Sequence, residues 1–335
     1  MRIAILSPIA WRTPPKHYGP WEQMASNLAE GLVNKGFDVT LFATKNSITS
    51  GKLDGVIDDG YEEDRQVDAK VAECLHISNL MEKASKFDLI HNHFDFLPLS
   101  YSRLIKTPLI TTIHGFSSPK IIPVYKKYNS NTHYVSISNS DRSTELNYLA
   151  TVYNGINVAD FKFNNHPEDY LVYFGRIHPD KGTAEAIEIA QKSKRNLIIS
   201  GLIQDGNYFK EKVEPFLNEQ IKYVGNSDPV GRNNILGKAA ALLHPINFNE
   251  PFGLSIAEAM MCGTPVIAFN KGSMSELIKD QETGFLVNTV DEALEALQNL
   301  HKIKRENCRK WSQSQFSRNK MVSDYIDCYN QILAD

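Results

Sequence analysis

The chain has 335 residues and a formal net charge of −3 at pH 7, with 42% of its residues hydrophobic and 22% charged. This length favours two domains, and this composition is typical of a globular protein. The absence of a basic excess argues against a nucleic-acid partner. The four cysteines form no C-x-x-C pair, which argues against a zinc knuckle or a dense disulfide framework and favours a reducing compartment.

The amino terminus is not expected to act as an export signal. Its first apolar run is short and breaks at Pro8, so it cannot form the core of a signal peptide. No stretch approaches the roughly 18 apolar residues of a membrane span. We therefore expect a cytoplasmic protein and leave open a peripheral contact with a membrane.

The first half of the chain alternates short apolar runs with longer amphipathic segments. Within residues 21–35, Met24, Leu28 and Leu32 recur with helical spacing, and Gly36 follows as a helix C-terminal signal. A second helix is predicted over residues 67–85. Strands are predicted at residues 3–7, 39–43, 89–91, 109–114 and 134–138.

The same alternation restarts near residue 170. The segment before it, residues 154–169, is rich in Asn, Gly, Asp and Pro and is predicted to be a linker. Strands are then predicted at residues 170–174, 197–200, 222–224, 241–244 and 265–268. Helices are predicted at residues 183–193, 254–261 and 290–300, with a last helix over about 321–333.

Alternating helices and continuously apolar strands predict an α/β fold with two Rossmann-like, doubly wound parallel-sheet domains. We assign residues 1–157 to the amino-terminal domain, 158–318 to the carboxy-terminal domain and 319–335 to a terminal helix. Ligands of such sheets bind at the carboxyl ends of the strands. The two domains are therefore expected to form a deep cleft that holds the functional site.

The most specific motif is the run E-P-F-G-L-S-I-A-E, which begins at Glu250 and ends at Glu258. The Pro of this run suits a helix start. The backbone N–H groups of Phe252, Gly253 and Leu254 would lie at the positive end of that helix, which suits a phosphate or a sugar hydroxyl. Glu258 can accept hydrogen bonds from a ribose, and Glu250 from a hexose. The simpler alternative is a carboxylate that favours the helix dipole plus a surface glutamate.

A pair of cations precedes this motif by about 70 positions. Arg176 and Lys181 follow a predicted strand and lead into a predicted helix. Arg offers a planar fork and Lys a point charge to a diphosphate leaving group, so together they can replace a metal ion. No D-x-D motif occurs in the chain. These features predict a site without a metal, although Arg176 and Lys181 could also be ordinary solvated side chains.

Two loops of the first half carry weaker signals. Gly19 lies in the loop after the first strand and feeds a helix, which can form a phosphate cradle. This loop has no G-x-G-x-x-G fingerprint. His114 ends a predicted strand before Gly115, in reach of a sugar. An ordinary loop and a structural histidine are the alternatives, and for His91 and His93 a structural role is preferred.

These motifs resemble those of glycosyltransferase family 4, a group of retaining enzymes with the two-domain GT-B fold. The resemblance spans nearly the whole chain. Besides the motifs already given, it includes the segments V-Y-N-G-I at Val152, C-G-T-P-V-I-A at Cys262 and T-G-F-L-V at Thr283.

The resemblance implies a role for each candidate residue. Arg176 and Lys181 are expected to hold the donor diphosphate, Glu258 the ribose and Glu250 the transferred sugar. The backbone of residues 252–254 is expected to meet sugar hydroxyls, and the main-chain carbonyl of His114 to face the anomeric carbon. The terminal helix is expected to cross back to the amino-terminal domain.

One departure concerns the opening loop, where the family often has two adjacent glycines. Here Pro20 replaces the second glycine. Because proline has no N–H, either one phosphate contact is lost or Pro20 shapes the acceptor site.

The sequence thus predicts a retaining, metal-independent hexosyltransferase that needs no cofactor. Its donor would be a UDP- or GDP-sugar, and its acceptor a glycan, a lipid-linked molecule or a small molecule. The alternatives are a GT-B-fold sugar phosphorylase or nucleotide-sugar epimerase, and a non-catalytic nucleotide-sugar-binding module. A dehydrogenase is disfavoured because the glycine fingerprint is missing. Oligomeric state is not predicted.

Overall fold

A computed structural model describes residues 1–116 and 118–334. The chain divides into two units, one of Met1–Gly155 with Arg318–Asp335 and the other of Ile156–Ser317. Each unit is built on one parallel β-sheet with helices, so the predicted α/β class with two parallel-sheet domains is confirmed. Within the described residues, no helix combines the length and the apolar character that crossing a membrane requires.

The sheet of the first unit has seven parallel strands in the order β3-β2-β1-β4-β5-β6-β7. Its interior strands β4 and β5 are buried along their whole length, as expected for a sheet covered on both faces. The strands are β1 Arg2–Leu6, β2 Asp38–Phe42, β3 Lys52–Asp54, β4 Leu89–Asn92, β5 Leu109–Ile113, β6 His133–Ser136 and β7 Tyr148–Thr151.

The second unit has a sheet of six parallel strands in the order β10-β9-β8-β11-β12-β13. Strand β8 lies between β9 and β11, so the order of the strands reverses beside it, which makes the boundary between β8 and β11 a topological switch point. The strands are β8 Tyr170–Phe174, β9 Asn196–Ser200, β10 Ile221–Tyr223, β11 Ala241–His244, β12 Val266–Phe269 and β13 Gly284–Val287.

Eleven α-helices accompany these strands in the described part of the chain. They are α1 Pro20–Asn34, α2 Ala69–Met81, α3 Ile122–Tyr128, α4 Thr183–Ser193, α5 Gly206–Lys212, α6 Pro229–Lys238, α7 Leu254–Met261, α8 Met274–Leu277, α9 Val290–Gln298, α10 Arg305–Gln315 and α11 Arg318–Ala334.

The terminal helix α11 belongs to the first unit and packs against α1. The two helices approach closely because α1 carries Gly31, where a Cβ atom would lie only 2.3 Å from Cγ2 of Val322. Polar contacts add to this packing, since the hydroxyl of Tyr329 lies 2.6 Å from Nδ1 of the buried His91. Buried polar groups need such partners, so α11 completes the interior of the first unit.

The predicted linker is not a free segment, because residues 156–169 belong to the second unit. Helix α10 supplies the guanidinium groups that anchor it. Arg305 Nε donates to the carbonyl of Asn164 at 2.6 Å, and Arg309 Nη1 donates to the carbonyl of Phe161 at 2.9 Å. These contacts satisfy carbonyl groups that a linker would leave to solvent.

Candidate active site

The loops that follow β8 and β11 bring together the two strongest sequence signals. The β8 loop carries Arg176 and Lys181, and the β11 loop carries Glu250. Because β8 and β11 are neighbours at the switch point of the sheet, both loops leave the same edge side by side. This topology explains how residues 69 positions apart come into contact.

Lys181 and Glu250 form a buried ion pair. Lys181 Nζ lies 2.5 Å from Oε2 of Glu250, and the two side chains are only 12% and 11% exposed. The Lys181 ammonium also lies over the ring of Phe248, 4.5 Å from its centroid. A second basic side chain approaches Glu250, because His244 Nε2 lies 3.7 Å from the same carboxylate oxygen. That distance is too long for a hydrogen bond, so this contact is electrostatic.

Burial and charge act in opposite directions on this pair. Burial raises the pKa of the Glu250 carboxyl, but His244 and Lys181 outweigh it and bring the pKa down to about 2. Burial is also the largest influence on Lys181 and lowers its pKa, against the attraction of Glu250. Glu250 is therefore ionised throughout the neutral pH range and presents a fixed negative charge.

Two glycines allow the loops to come this close. Gly182 has φ +73° and begins helix α4, and a Cβ atom there would lie 1.8 Å from the carbonyl oxygen of Pro245. Gly272 has φ +61°, and a Cβ atom there would lie 2.4 Å from the backbone of Glu250. Any larger residue would push these loops apart, so the glycines set the position of Lys181 and Glu250.

Arg176 is the second cation of the β8 loop. Its side chain is half-buried, and its Nη1 donates to the side-chain oxygen of Gln204. Its backbone is fixed as well, because the hydroxyl of Tyr173 donates to the Arg176 carbonyl at 2.8 Å. Its charge lowers the pKa of Lys181, so the two cations are within electrostatic reach of each other.

The amino terminus of α7 follows Glu250. The helix begins at Leu254 as predicted, with Gly253 as its N-cap and no side-chain cap among the described residues. Pro251 lies before the N-cap, so the expectation that it starts the helix is wrong. The turn is instead fixed by Ser273, whose hydroxyl donates to the carbonyl of Phe252 at 2.7 Å. An uncapped helix start with its backbone dipole is suited to an anion or a hydroxyl group.

Glu258 lies inside α7 and is paired with a residue that sequence reasoning missed. Arg232, on helix α6, donates from Nη1 to Oε1 of Glu258 at 2.9 Å. Burial raises the pKa of Glu258, and Arg232 opposes that rise. No motif identifies Arg232 in the sequence, because its importance depends on the packing of α6 against α7.

The first unit contains the remaining candidates, Gly19 and His114, on loops at the carboxyl ends of its strands. Gly19 is the N-cap of α1 with φ +150°, and Pro20 is the first residue of that helix. Proline costs a helix nothing at this position. It nevertheless removes one N–H that the loop could have donated to an anion.

His114 is buried and held on two sides. Its ring stacks on that of Trp21, with centroids 5.5 Å apart. Its Nε2 lies 2.9 Å from Nδ1 of His93, while its Nδ1 is buried without a hydrogen-bond partner in the described part of the chain. Burial lowers the pKa of His114 to about 3, so the ring is neutral at pH 7. His93 thus has a direct contact with a candidate site residue.

A second missed residue lies on the first turn of α1. Glu22 is buried, and Oε1 accepts a hydrogen bond from the backbone N–H of Trp11 at 3.3 Å. Burial raises the pKa of Glu22 to about 7. Its position three residues after Gly19 is the signal that could have identified it, since it fixes the opening loop.

The candidate residues therefore fall into two sets. Arg176, Lys181, Glu250, Glu258 and the turn at residues 252–254 lie in the second unit, and Gly19 and His114 in the first. The residues of the second unit combine cations suited to a diphosphate with carboxylates suited to sugar hydroxyls. Over the described residues, no group of three or more His, Cys, Asp or Glu side chains could hold a metal ion.

Comparison with known proteins assigns the chain to a family. The model for group 1 glycosyl transferases matches residues 157–318, and the model for glycosyltransferase family 4 matches residues 22–159. Among similar sequences, the N-acetyl-alpha-D-glucosaminyl L-malate synthase of Bacillus anthracis is 23% identical over 313 residues, covering 80% of this chain and 79% of that protein.

Solved structures show the same fold at low sequence identity. The HepE protein of Anabaena, solved in complex with UDP and glucose, has a TM-score of 0.76 and 18% identity and covers 99% of this chain and 100% of that one. The sucrose-phosphate synthase of Thermosynechococcus elongatus has a TM-score of 0.80 and 19% identity, and the match covers 100% of this chain and 99% of that one. The chain has the GT-B fold and belongs to the group 1/family 4 glycosyltransferases.

Proposed function

We propose that this glycosyltransferase moves a hexose-type sugar, with retention of anomeric configuration, from a UDP- or GDP-sugar to a glycan, lipid-linked or small-molecule acceptor. The observation that carries the proposal is the buried contact between Lys181 and Glu250 at the switch point of the second sheet. It brings a cation suited to a leaving diphosphate next to a carboxylate suited to a sugar.

The cations support departure of the nucleoside diphosphate without a metal ion. When the bond between the anomeric carbon and the phosphate oxygen breaks, negative charge grows on the diphosphate. Lys181 and Arg176 would stabilise that charge from fixed positions, which is the efficient form of electrostatic catalysis. Lys181 needs no new ordering for this, because Glu250 and Phe248 already hold its ammonium group.

The carboxylate supports a front-face mechanism. In that route the leaving phosphate oxygen takes the proton of the acceptor hydroxyl as the acceptor oxygen attacks the same face of the sugar. A pKa of about 2 and the ion pair with Lys181 make Glu250 a weak nucleophile. Glu250 would instead hold sugar hydroxyls and offset positive charge on the oxocarbenium-like transition state.

The remaining residues complete the proposed site. Glu258 would accept hydrogen bonds from the ribose, and the start of α7 would meet hydroxyls of the transferred sugar. His114 would contact the sugar through its buried Nδ1, whose unsatisfied hydrogen bond a hydroxyl could complete.

The test is turnover of the Glu250→Gln variant with its preferred nucleotide sugar. The substitution keeps the shape and removes the charge, so kcat should fall by about 10²–10³, the scale for one lost electrostatic stabiliser. The matched control is Glu188→Gln, which changes an exposed glutamate of the same unit. Near-normal turnover of Glu250→Gln would contradict the assignment, and turnover supported by free phosphate would favour a phosphorylase.

A further inference from the structure

The ion pair between Arg232 and Glu258 places a second charged side chain beside the proposed ribose contact. Glu258 lies inside α7 with its side chain 8% exposed, and Arg232 reaches it from α6 with its own side chain 24% exposed. A carboxylate this deeply buried is poorly solvated, so its charge depends on its protein partners. Arg232 is the basic side chain that contacts it directly.

We propose that Arg232 is a positioning residue of the nucleotide site, which keeps Glu258 ionised and oriented to accept hydrogen bonds from the ribose diol. The proposal rests on the proposed function, because it assumes that Glu258 meets the ribose. It extends that function by making nucleotide recognition dependent on a residue of another helix.

The ionisation of Glu258 decides what it can bind. An ionised carboxylate only accepts hydrogen bonds and can accept one from each hydroxyl of a diol. The protonated group instead has one O–H that acts as a donor. Burial raises the pKa of Glu258, Arg232 lowers it, and Asp160 raises it again. The other titratable groups near this carboxylate are Cys262, which caps the end of α7, and the two arginines of α10 that act on Cys262, Arg305 and Arg309.

The guanidinium of Arg232 is held in place but not fully satisfied. It lies over the ring of Phe161, 5.6 Å from the ring centroid, and Nη1 is committed to Glu258. Its Nε is buried without a hydrogen-bond partner in the described residues. The ion pair with Glu258 and the ring of Phe161 are therefore the contacts that orient this guanidinium.

The experiment compares nucleoside diphosphate binding by the wild type, Arg232→Leu and Arg232→Lys, using isothermal titration calorimetry at pH 7. The probe is UDP or GDP, whichever the wild type binds, together with its 2′,3′-dideoxy analogue. Arg195→Leu is the matched control, because Arg195 pairs with Asp169 at a more exposed site of the same unit. Circular dichroism verifies that each variant is folded.

Arg232→Leu should weaken binding of the ribonucleotide by about 30-fold, the scale for charge-assisted hydrogen bonds to a diol. The dideoxy analogue should bind the wild type and Arg232→Leu almost equally, since neither complex then uses Glu258. Equal losses for the ribonucleotide and the dideoxy analogue would indicate a merely structural role and overturn the proposal.

The pH dependence gives a second readout. Without Arg232, the pKa of Glu258 rises further, so the carboxylate ionises only at higher pH. The loss of ribonucleotide affinity is expressed as the Kd of Arg232→Leu divided by the Kd of Arg195→Leu, so that titration of the ligand affects both values equally. This ratio should therefore shrink between pH 6 and pH 9. Arg232→Lys keeps the positive charge and should show a smaller, pH-independent deficit. A deficit of Arg232→Leu that is constant with pH would contradict the proposal.

The outcomes separate the two proposals. If the wild type binds no nucleoside diphosphate, the proposed function itself fails. If the wild type binds and Arg232→Leu binds equally well, only the role of Arg232 fails. Should Arg232→Leu not fold, Arg232→Lys decides. A loss of affinity confined to the ribonucleotide supports the proposal, whereas an equal loss for both ligands, or wild-type affinity for both, overturns it.

Discussion

Lys181 and Glu250 show how the candidate site depends on single residues. Each side chain is almost buried, and each would carry an unpaired charge without the other. Such a pair adds little net stability, but removal of one partner is costly because the other stays desolvated. Residue type and motif are enough to single out both residues as candidates, as they are for Arg176 and Glu258. Arg232 and His93 could not be singled out in this way, because their relevance comes only from contacts, whereas Glu22 carries one sequence signal, its position three residues after Gly19.

The Lys181→Ala variant tests this dependence. It leaves Glu250 buried with only His244 nearby, so the free energy of unfolding should fall by about 3 kcal/mol. Removal of the cation also raises the folded-state pKa of Glu250, so the deficit should shrink as pH falls and the carboxyl protonates. Urea unfolding at two pH values measures both effects, and turnover should fall by about 10²–10³.

The control for that measurement is Lys192→Ala, which removes a lysine from a solvent-exposed pair with Glu188. Exposed pairs of this kind contribute little, so its stability should stay near that of the wild type. If the free energy of unfolding fell by a similar amount in both variants, the burial of the Lys181–Glu250 pair would not be what makes Lys181 important for stability.

At the scale of elements, the apolar central strands were predictable, as was the edge strand β10, but the edge strands β3, β7 and β13 were not. Strands β1, β8 and β11 match their predictions to within about one residue because they form continuous apolar runs. Strand β3 has only three residues, two of them exposed, and β7 is half-buried throughout. An edge strand has one paired side and partial burial, so its sequence carries no continuous apolar signal.

Short polar helices were missed for a related reason. Helices α5 and α6 lack a wide apolar face, and their local signal is the N-cap. Asp205 accepts hydrogen bonds from the first turn of α5, and Asp228 does so for α6, where Pro229 follows. These caps are legible in the sequence, but an isolated cap does not distinguish a helix from a turn.

The turn between β8 and α4 yields a prediction at this scale. Gly182→Ala introduces strain at φ +73° and a clash with the carbonyl of Pro245, so the free energy of unfolding should fall by about 3 kcal/mol. Binding of the donor should weaken too, because the clash displaces Lys181. Chemical denaturation and nucleotide titration measure the two effects.

Gly225→Ala separates strain from crowding. Gly225 also has a positive φ, +80°, but a Cβ atom there would meet nothing within 4 Å. Only the strain remains, at about 1 kcal/mol, and nucleotide binding should be unchanged. If the two variants behaved alike, the close approach of the two loops would not control the site.

At the scale of the whole molecule, the buried histidines of the first unit make stability depend on pH. The first unit buries His76, His91, His93 and His114, and burial lowers the pKa of each, to about 4 for His76 and to about 3 for His91 and His114. These rings are neutral in the folded chain and become protonated when the chain unfolds below pH 6.5. Stability is therefore complete above pH 6.5 and is lost progressively towards pH 4.

Urea unfolding between pH 8 and pH 5 tests this expectation. At pH 5 each such histidine should cost about 2 kcal/mol relative to pH 8. The raised pKa values of Glu22 and Asp95, about 7 and about 6, act in the opposite direction and offset about half of the total, so the first unit should still lose several kcal/mol. His91→Gln should reduce the slope of stability against pH by about one proton. A free energy of unfolding that stayed constant from pH 8 to pH 5 would contradict the assignment of neutral buried rings.

The central claim is that the second unit holds a nucleotide-sugar site that works without a metal ion. The most direct measurement is a thermal-shift panel of UDP, GDP and ADP with their common sugar conjugates, each with magnesium and with EDTA. A ligand that binds only the folded chain raises Tm by mass action. We predict that one nucleoside diphosphate and its sugar conjugate raise Tm equally in magnesium and in EDTA. No shift with any nucleotide, or a shift that requires magnesium, would contradict this account.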